Sequence, residues 1–308
     1  MNTDRSQPTN RRRVYQHGVM RAAALLLLFA PAAASAQRAS QRATQRAAQR
    51  VEREEQRPSQ RTDDEWLENC QDSNRRSDRY VFCDVRVERM RTPSGGLRVS
   101  GGQNGGVIVI GENRSDVEVH ARIQTNAGSD ANAQDLAEEI RVDLSGGEIR
   151  ADGPETDREE SWSVTFVVHV PRRLDLELDA HNGPMSIEDV TGAIEAQTHN
   201  GPLALRRVSG DVVARAQNGP LTVELTGNRW SGTGLDAETV NGPVTLIVPD
   251  GFSAELEAGT VNGPLNSDIP LTVTRIDRRS RRIQTTLGNG GPPVRVVTTN
   301  GPVSIVSR

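Results

Sequence analysis

Residues 194–205 read IEAQTHNGPLAL: apolar or small residues alternate with polar ones up to an Asn-Gly-Pro triplet, and the alternation resumes after it. An internal repeat of this kind indicates stacked structural units rather than an ordinary globular domain. The triplet begins at six places in the second half of the chain: Asn182, Asn200, Asn218, Asn241, Asn262 and Asn300.

Aligning the repeats on the asparagine reveals two faces. The sixth, fourth and second residues before it are apolar or threonine in every repeat, and the residues between them are mostly charged or polar. This alternation predicts β-strands with one buried face. After the triplet, residues such as Leu203 and Leu205 predict a second inward-facing arm, so that each repeat has two arms of about seven residues, although Ser267 interrupts one column of the second arm.

The proline of the triplet selects between two folds. Asn-Gly alone is the usual signal for a two-residue β-hairpin, which would make the repeats an antiparallel meander. That turn needs an amide hydrogen on the residue after glycine, and Pro202 and its equivalents have none. The repeats are therefore predicted to form an all-β, β-helix-like solenoid with stacked Asn-Gly-Pro corners over residues 171–308. We expect the asparagines to form a ladder and glycine to supply a positive φ angle.

The first 61 residues have the composition of export and linker segments. A basic region, an apolar run at residues 22–30 and the small residues 34–36 predict a signal peptide over residues 1–36. The apolar run is too short to span a bilayer, so we expect a mature chain without a transmembrane segment, in the periplasm, at the cell surface or secreted. Residues 37–61, rich in Gln and Arg, are predicted to be a disordered linker.

Residues 62–170 are predicted to be a β-rich part that continues into the solenoid. One short helix is expected from Asp130 to Ile140, capped by an Asp or Asn. Cys70 and Cys83 are the two cysteines of the chain, and in an exported protein they are expected to form a disulfide.

Several of these features resemble a family of bacterial exported adhesin-like proteins, the β-strand-repeat domains of unknown function related to the head-GIN type. The resemblance rests on the strand from Val164 to Val170 that ends in Pro171, on the Asn-Gly triplets, and on residues 287–291 (LGNGG) followed by the strands of residues 294–305. It covers the chain from about Val85 onward. It implies a β-solenoid and an envelope location, and it carries over no catalytic residue.

Charge and residue types limit the chemistry that the chain can perform. The formal net charge is −4, and residues 37–61 contain seven Arg against three Glu, so the remainder is acidic and no nucleic-acid partner is expected. His181 and His199 occupy equivalent positions in successive repeats and should lie about 5 Å apart, but no third histidine continues the row, and we predict no metal or cofactor. His120 and His169 have no partner that the sequence identifies.

Two charged surfaces are the remaining candidates for binding. Outward-facing acids, Glu177, Asp179, Glu195, Asp236, Glu238 and Glu257, could bind a carbohydrate or Ca²⁺. The long spacing before the last triplet predicts an inserted loop at residues 275–291, and its arginines are a candidate anion-binding site: Arg275, Arg278, Arg279, Arg281 and Arg282.

The sequence therefore predicts a non-catalytic envelope protein that binds an envelope component or glycan, or acts as a scaffold. The alternative from another class is a polysaccharide lyase or hydrolase that uses the outer acids. A third possibility is edge-to-edge self-association, because the last repeat ends at Ile305 with little chain after it to cover the strand edge.

Overall fold

The computed structural model describes residues 62–74, 80–156, 159–271, 273–277 and 281–308. The predicted signal peptide and linker lie outside these residues. The described part is all-β with two short helices, α1 (Asp63–Asn74) and α2 (Asp130–Glu139). Its strands are β1 (Tyr80–Arg91), β2 (Leu97–Ser100), β3 (Val107–Glu112), β4 (Asp116–Ala127), β5 (Arg141–Asp143), β6 (Glu148–Asp152), β7 (Ser161–Pro171), β8 (Leu176–Asn182), β9 (Met185–Glu188), β10 (Thr191–Asn200), β11 (Leu203–Arg206), β12 (Ser209–Asn218), β13 (Leu221–Glu224), β14 (Gly234–Asn241), β15 (Val244–Val248), β16 (Ala254–Asn262), β17 (Leu265–Ser267), β18 (Val273–Asp277), β19 (Arg282–Leu287), β20 (Pro293–Asn300) and β21 (Val303–Ser307).

The strands form two sheets. Sheet A has the order β1-β4-β7-β3-β9-β11-β13-β15-β21-β17, and sheet B has the order β18-β19-β16-β20-β14-β12-β10-β8-β2-β6-β5. Each coil of the solenoid is one sheet B strand followed, after a corner, by one sheet A strand. Like residues of neighbouring coils pair in parallel register, so that Ile194 lies between Leu176 and Val212.

The backbone of each corner bonds to the next coil rather than within itself. The amide of Gly201 donates to the carbonyl of Asn218 at 3.0 Å, and the amide of Leu203 donates to the carbonyl of Pro220 at 2.9 Å. The missing proline amide therefore leaves no gap in the hydrogen bonding.

The expected role of the corner glycine is wrong at most corners, because Gly183, Gly201, Gly242 and Gly263 do not have a φ angle in the left-handed region. Space is the physical reason for glycine instead. A Cβ on Gly201 would lie far inside van der Waals contact with the carbonyl oxygen of Gly183 in the neighbouring coil, and the other corners repeat this clash.

The core lies between the two sheets. The three columns before the corner are buried in every coil, including Leu176, Val212 and Val294 at the first position and Ala214 at the second. Burial of these side chains is the main favourable contribution to stacking. Ser267, which interrupts the second-arm column, lies exposed on the end coil.

The coils do not stack in chain order. The last coil, β20–β21, lies between β14–β15 and β16–β17, and it pairs in parallel with both. The premise that the last repeat leaves an open strand edge at Ile305 is therefore wrong: Ile305 lies between Leu246 and Ser267 and is fully buried.

The inserted segment before the last triplet is a hairpin rather than a loop in its described residues. Strands β18 and β19 pair antiparallel, and β19 pairs antiparallel with β16 at the far end of sheet B. The hairpin thus covers the strand edge that β16 would otherwise present.

The other end is covered by β1 and β4, which pair antiparallel, and by both helices. Helix α2 was predicted, but its N-cap is Ser129, whose side chain accepts from the amide of Asn132 at 3.2 Å. Helix α1 is a second helix that the sequence analysis did not predict. A disulfide joins it, through Cys70, to Cys83 of β1. No described helix is long and apolar enough to cross a bilayer.

Candidate functional site

An open groove of about 620 Å³ lies on the outer face of sheet B. It runs across the N-terminal ends of five neighbouring strands, β6, β2, β8, β10 and β12. The Asn-Gly-Pro corners lie at the other side of the sheet, where its strands end. The parallel register aligns these strand starts, so the groove is a property of the stacking rather than of one loop.

Glycine turns form one wall of the groove. Gly96 has φ +90° and Gly147 has φ +79°, and both angles are in the region that glycine adopts more readily than other residues. A Cβ on Gly96 would lie 3.2 Å from the carbonyl oxygen of Asp175, so these turns also keep the wall close to β8.

Carboxylates dominate the polar lining of the groove. Glu177 is paired with Arg98 at 2.6 Å, and this ion pair holds the pKa of Arg98 above its usual value. Asp175 accepts a hydrogen bond from the amide of Ala193 at 2.8 Å. Glu195 and Asp211 are exposed, and in the described part of the chain neither has an ion-pair partner. The groove therefore presents two exposed carboxylates that have neither a hydrogen-bond nor an ion-pair partner, beside the half-buried Glu148 and the hydrogen-bonded Asp175, which also lack an ion pair among the described residues.

Farther along sheet B, the outward acids are neutralised. Arg295 lies 2.5 Å from Asp236, 3.1 Å from Glu238 and 3.5 Å from Glu257, and Arg215 also pairs with Asp236. Burial tends to raise the pKa of Asp236, but the hydrogen bonds from Arg215 and Arg295 outweigh it and the pKa is lowered. Asp179, another of the six predicted outer acids, accepts a hydrogen bond from the hydroxyl of Ser100 at 2.8 Å.

The six predicted asparagines lie in one row along the C-terminal ends of the sheet B strands. Each side-chain amide donates to the side-chain oxygen of the next asparagine, for example Asn200 to Asn182 and Asn218 to Asn200, both at 2.8 Å. The row begins one coil earlier, at Asn104, which accepts from Asn182 at 3.2 Å. Its spatial order is Asn104, Asn182, Asn200, Asn218, Asn241, Asn300 and Asn262.

His181 and His199 lie beside this asparagine row, with ring centroids 4.8 Å apart and planes tilted by 21°. In the described residues, no group of three or more His, Cys, Asp or Glu side chains could hold a metal ion.

The predicted arginine site is only partly described. Arg278 and Arg279 lie outside the described residues, and Arg275 is in β18 without a described side chain. Arg281 donates to the carbonyl of Gly263 at 2.5 Å, and Arg282 lies 3.7 Å from Glu257. The two described side chains therefore already have protein partners.

A charged cluster that sequence reasoning missed connects α1 to the outer face of sheet A. The atoms His120 Nδ1 and Asp63 Oδ2 are 2.5 Å apart, His120 Nε2 and Glu118 Oε1 are 3.0 Å apart, and Arg122 donates to Asp63 at 2.9 Å. The His169 ring lies 5.3 Å from the ring of His120. Alternation in β4 places Glu118, His120 and Arg122 on one face, which is a usable signal, but nothing in the sequence places Asp63 beside them.

The hydrogen bonds of this cluster shift its pKa values. The bond with His120 is the largest of the effects that lower the pKa of Glu118 to about 2. Burial tends to lower the pKa of His120, but its bonds with Glu118 and Asp63 outweigh this and raise it. Burial tends to raise the pKa of Asp63, and bonds from His120 and Arg122 lower it overall.

Comparison with known proteins gives one family match and several distant structural similarities. A family profile described as Toastrack DUF4097 matches residues 89–306. A search of curated proteins gives no significant match. Among solved structures, a candidate cell adhesion protein from Clostridium sporogenes is 10% identical, with a TM-score of 0.41, and the match covers 73% of this chain and 100% of that one.

Two further structures have lower scores. A candidate adhesin from Bacteroides fragilis is 9% identical over 73% of this chain and 97% of its own, with a TM-score of 0.29. A candidate lipid-binding protein from Parabacteroides distasonis is 8% identical over 72% of this chain and 97% of its own, with a TM-score of 0.28.

Proposed function

The chain belongs to the Toastrack DUF4097 family, and from that premise we propose that it is a non-catalytic, adhesin-like binding protein of the cell envelope. Its binding site is the groove at the strand starts of sheet B. The observation that carries the proposal is the pair of exposed carboxylates without a hydrogen-bond or ion-pair partner within the described residues, Glu195 and Asp211, which line a groove on the outer acidic face.

The stacked corners make the groove a rigid site. Asparagine side chains bond from coil to coil along one edge of sheet B, and the backbone of every corner bonds to a neighbouring coil. A rigid, preformed surface loses little conformational entropy on binding. The Asn-Gly-Pro row therefore has a structural role, and the binding residues are the outward-facing ones at the N-terminal ends of the sheet B strands.

The lining of the groove favours a cationic partner, and we propose a glycan that carries free amino groups. Its lining residues include no aromatic side chain on which a sugar ring could stack, so recognition must come from charge. The carboxylates are exposed, and their attraction for a cation is therefore moderate and sensitive to salt.

Calorimetric titration with partly deacetylated chitosan oligosaccharides tests this proposal, with fully acetylated oligomers as the uncharged ligand of matched shape. We expect the amine-bearing oligomer to bind, and the affinity to fall with added salt and in the double variant Glu195→Gln, Asp211→Asn. The variant Glu139→Gln removes an exposed carboxylate from α2, away from the groove, and should bind like the parent. Equal affinity for both oligomers, or no binding of either, contradicts the proposal.

One observation favours a second candidate function, the cleavage of a polysaccharide. Glu195 lies directly beside Glu177 in the parallel register. The spacing of about 4.8 Å between neighbouring strands is slightly below the 5–5.5 Å that retaining glycosidases place between their two carboxyl groups. Arg98 already pairs with Glu177, so we rank binding first. Assays with polysaccharides, with and without Ca²⁺, separate the two functions. Cleavage lost in Glu195→Gln and kept in Glu139→Gln would overturn the non-catalytic proposal.

The envelope location rests on the sequence of residues 1–36, with its basic region, apolar run and small-residue cleavage site. Fractionation of bacteria that express the full chain, followed by N-terminal sequencing, tests it. We expect the chain outside the cytoplasm with Gln37 as its first residue. Recovery of an uncleaved chain from the cytoplasm contradicts this part of the proposal.

A further inference from the structure

The last coil of the chain, β20–β21, occupies a slot between two coils that are neighbours in sequence. Strand β15 ends at Val248 and β16 begins at Ala254, so only residues 249–253 connect the two walls of the slot. Strand β20 pairs with β14 on one side and β16 on the other, and β21 pairs with β15 and β17. Strands β20 and β21 thus join the two parts of sheet B and of sheet A, respectively, into continuous sheets.

Backbone hydrogen bonds hold the last coil from both sides. Gly242 donates to Asn300 at 2.9 Å on one side, and Gly301 donates to Asn262 at 3.1 Å on the other. Asn300 also continues the side-chain row, because it donates to Asn241 and accepts from Asn262, both at 2.8 Å. The slot is therefore specific for an arm with an Asn-Gly corner in register.

The charges on the two walls of the slot also favour the last coil as its occupant. Arg295 of β20 lies within 3.5 Å of acids on both walls, Asp236 and Glu238 of β14 and Glu257 of β16. In an uninterrupted stack, the repeat register would place Glu257 directly beside Asp236, because Leu256 and Leu235 share a column. Like charges on paired strands are destabilising, so the two walls accept a cationic strand between them better than they accept each other.

A short hinge precedes the last coil. Residues 288–292 are Gly-Asn-Gly-Gly-Pro, and they pass from β19, on one side of β16, to β20 on the other side. Gly288 and Gly290 have φ angles of +53° and +72°. A glycine-rich hinge can take either this bent path or an extended one at small energetic cost.

We propose that the last coil is an exchangeable element, and that two copies of this chain assemble by inserting β20–β21 reciprocally into each other's slot. Every contact between the last coil and its slot is the same in the monomer and in the exchanged dimer, and only the hinge differs between them. This proposal goes beyond the glycan-binding function and does not depend on it, because the groove lies at the other end of sheet B. It also replaces association through an open edge, which Ile305 does not provide.

A hinge-shortened variant tests the proposal in the full chain. Deletion of residues 288–291 leaves Pro292 alone between Leu287 and Pro293, which spans at most about 7 Å, whereas the path across β16 spans two strand spacings, about 9.6 Å. The shortened chain therefore cannot cross β16 within one copy, but it can continue straight into a second copy. After refolding at high concentration, we expect light scattering to show a mixture of monomer and dimer for the parent and chiefly dimer for the shortened variant. A matched variant with two glycines added to the hinge should be chiefly monomeric. A folded, monomeric shortened variant overturns the proposal.

A second experiment covers the case in which the shortened variant fails to fold. A protease site inserted between Gly290 and Gly291 allows the hinge to be cut in the folded, complete protein. We expect the cut coil to stay bound and to exchange with a labelled peptide of residues 292–308. A peptide carrying Arg295→Glu should compete at least about tenfold less well, since a lost charge-assisted contact is worth roughly 1.4 kcal/mol or more. Failure of the unaltered peptide to enter the slot overturns the proposal.

Discussion

At the scale of single residues, the corner glycines leave room for a carbonyl group of the neighbouring coil. The clash that a Cβ would cause repeats from coil to coil, with Gly201 facing Gly183 and Gly219 facing Gly201. The sequence shows that glycine recurs at this place, but it does not show why. The closeness of the coils becomes apparent only once the corners are stacked in register.

The substitution Gly201→Ala should therefore destabilise the fold although its backbone angle is one that alanine tolerates. Overpacking in a rigid structure typically costs about 1–3 kcal/mol, and here the obstacle is backbone. Gly128→Ala is the matched control, because its Cβ would meet nothing within 4 Å. Chemical denaturation of both variants measures the free energies of unfolding. Equal stability of Gly201→Ala and the parent would show that the coils can move apart at no cost.

The asparagine row makes a smaller contribution per residue. Asn218 both donates to Asn200 and accepts from Asn241, so Asn218→Ala removes two side-chain hydrogen bonds. Each neutral bond contributes about 0.5–1.5 kcal/mol, and we expect a loss of about 1–2 kcal/mol at this exposed site. Gln217→Ala, the adjacent exposed residue, should change the unfolding free energy by much less. If both substitutions have the same effect, the row does not stabilise the stack.

Sequence analysis could identify six members of this row but not the seventh. Asn104 is followed by Gly-Gly rather than Gly-Pro, and 78 residues separate it from Asn182, to which it bonds. A period-based search therefore misses it. The insertion between these two residues contains β4, α2 and β7, the elements that cover this end of the solenoid.

At the scale of elements, the strands were predictable and helix α1 was not. The strands follow from alternating apolar columns that recur in every repeat. Helix α1 has few apolar residues to give a helical period, and it is attached to the sheet by the disulfide of Cys70 and the ion pairs of Asp63. Attachment through such long-range polar contacts leaves no local signal in a sequence.

The attachment of α1 should depend on pH in two directions. Asp63 has a lowered pKa, so its stabilising effect is complete above its unfolded value near 3.8 and is lost as the pH falls through the folded pKa. His120 has a raised pKa, so its effect is complete below its unfolded value near 6.5 and is lost as the pH rises through the folded pKa. The attachment should be strongest between about pH 4 and 6.5.

Thermal unfolding followed as a function of pH tests this window. In the parent, the midpoint should decrease on the alkaline side as His120 loses its proton. His120→Gln should remove that decrease, whereas His181→Gln, which alters a histidine beside the asparagine row, should retain it. If the unfolding midpoint of His120→Gln decreases at alkaline pH as much as that of the parent, groups other than His120 cause the decrease. Arg122 donates to Asp63 in both variants, so α1 should remain attached between about pH 4 and 6.5.

At the scale of the whole described structure, the order of the coils was beyond the sequence analysis. The same apolar columns allow any coil to stack on any other, so periodicity predicts that coils stack but not which are neighbours. The one discriminating signal is charge: Arg295 is the cation that separates the outward acids Asp236 and Glu257. That signal has meaning only after the register is known.

Interleaving gives the last residues of the chain an unusual environment, and hydrogen exchange should detect it. Chain termini normally open easily and exchange fast, but the amides of residues 294–305 are in strands paired on both sides. We expect their protection to equal that of β12 and β13 in the middle of the stack and to exceed that of the edge strand β18. Arg295→Glu should lower the protection of β16 and β17 together with β20 and β21, because the charge that joins the two walls is reversed. Rapid exchange confined to residues 294–305 in the parent chain would mean that the last coil frays independently, and the interleaved order would then be incorrect.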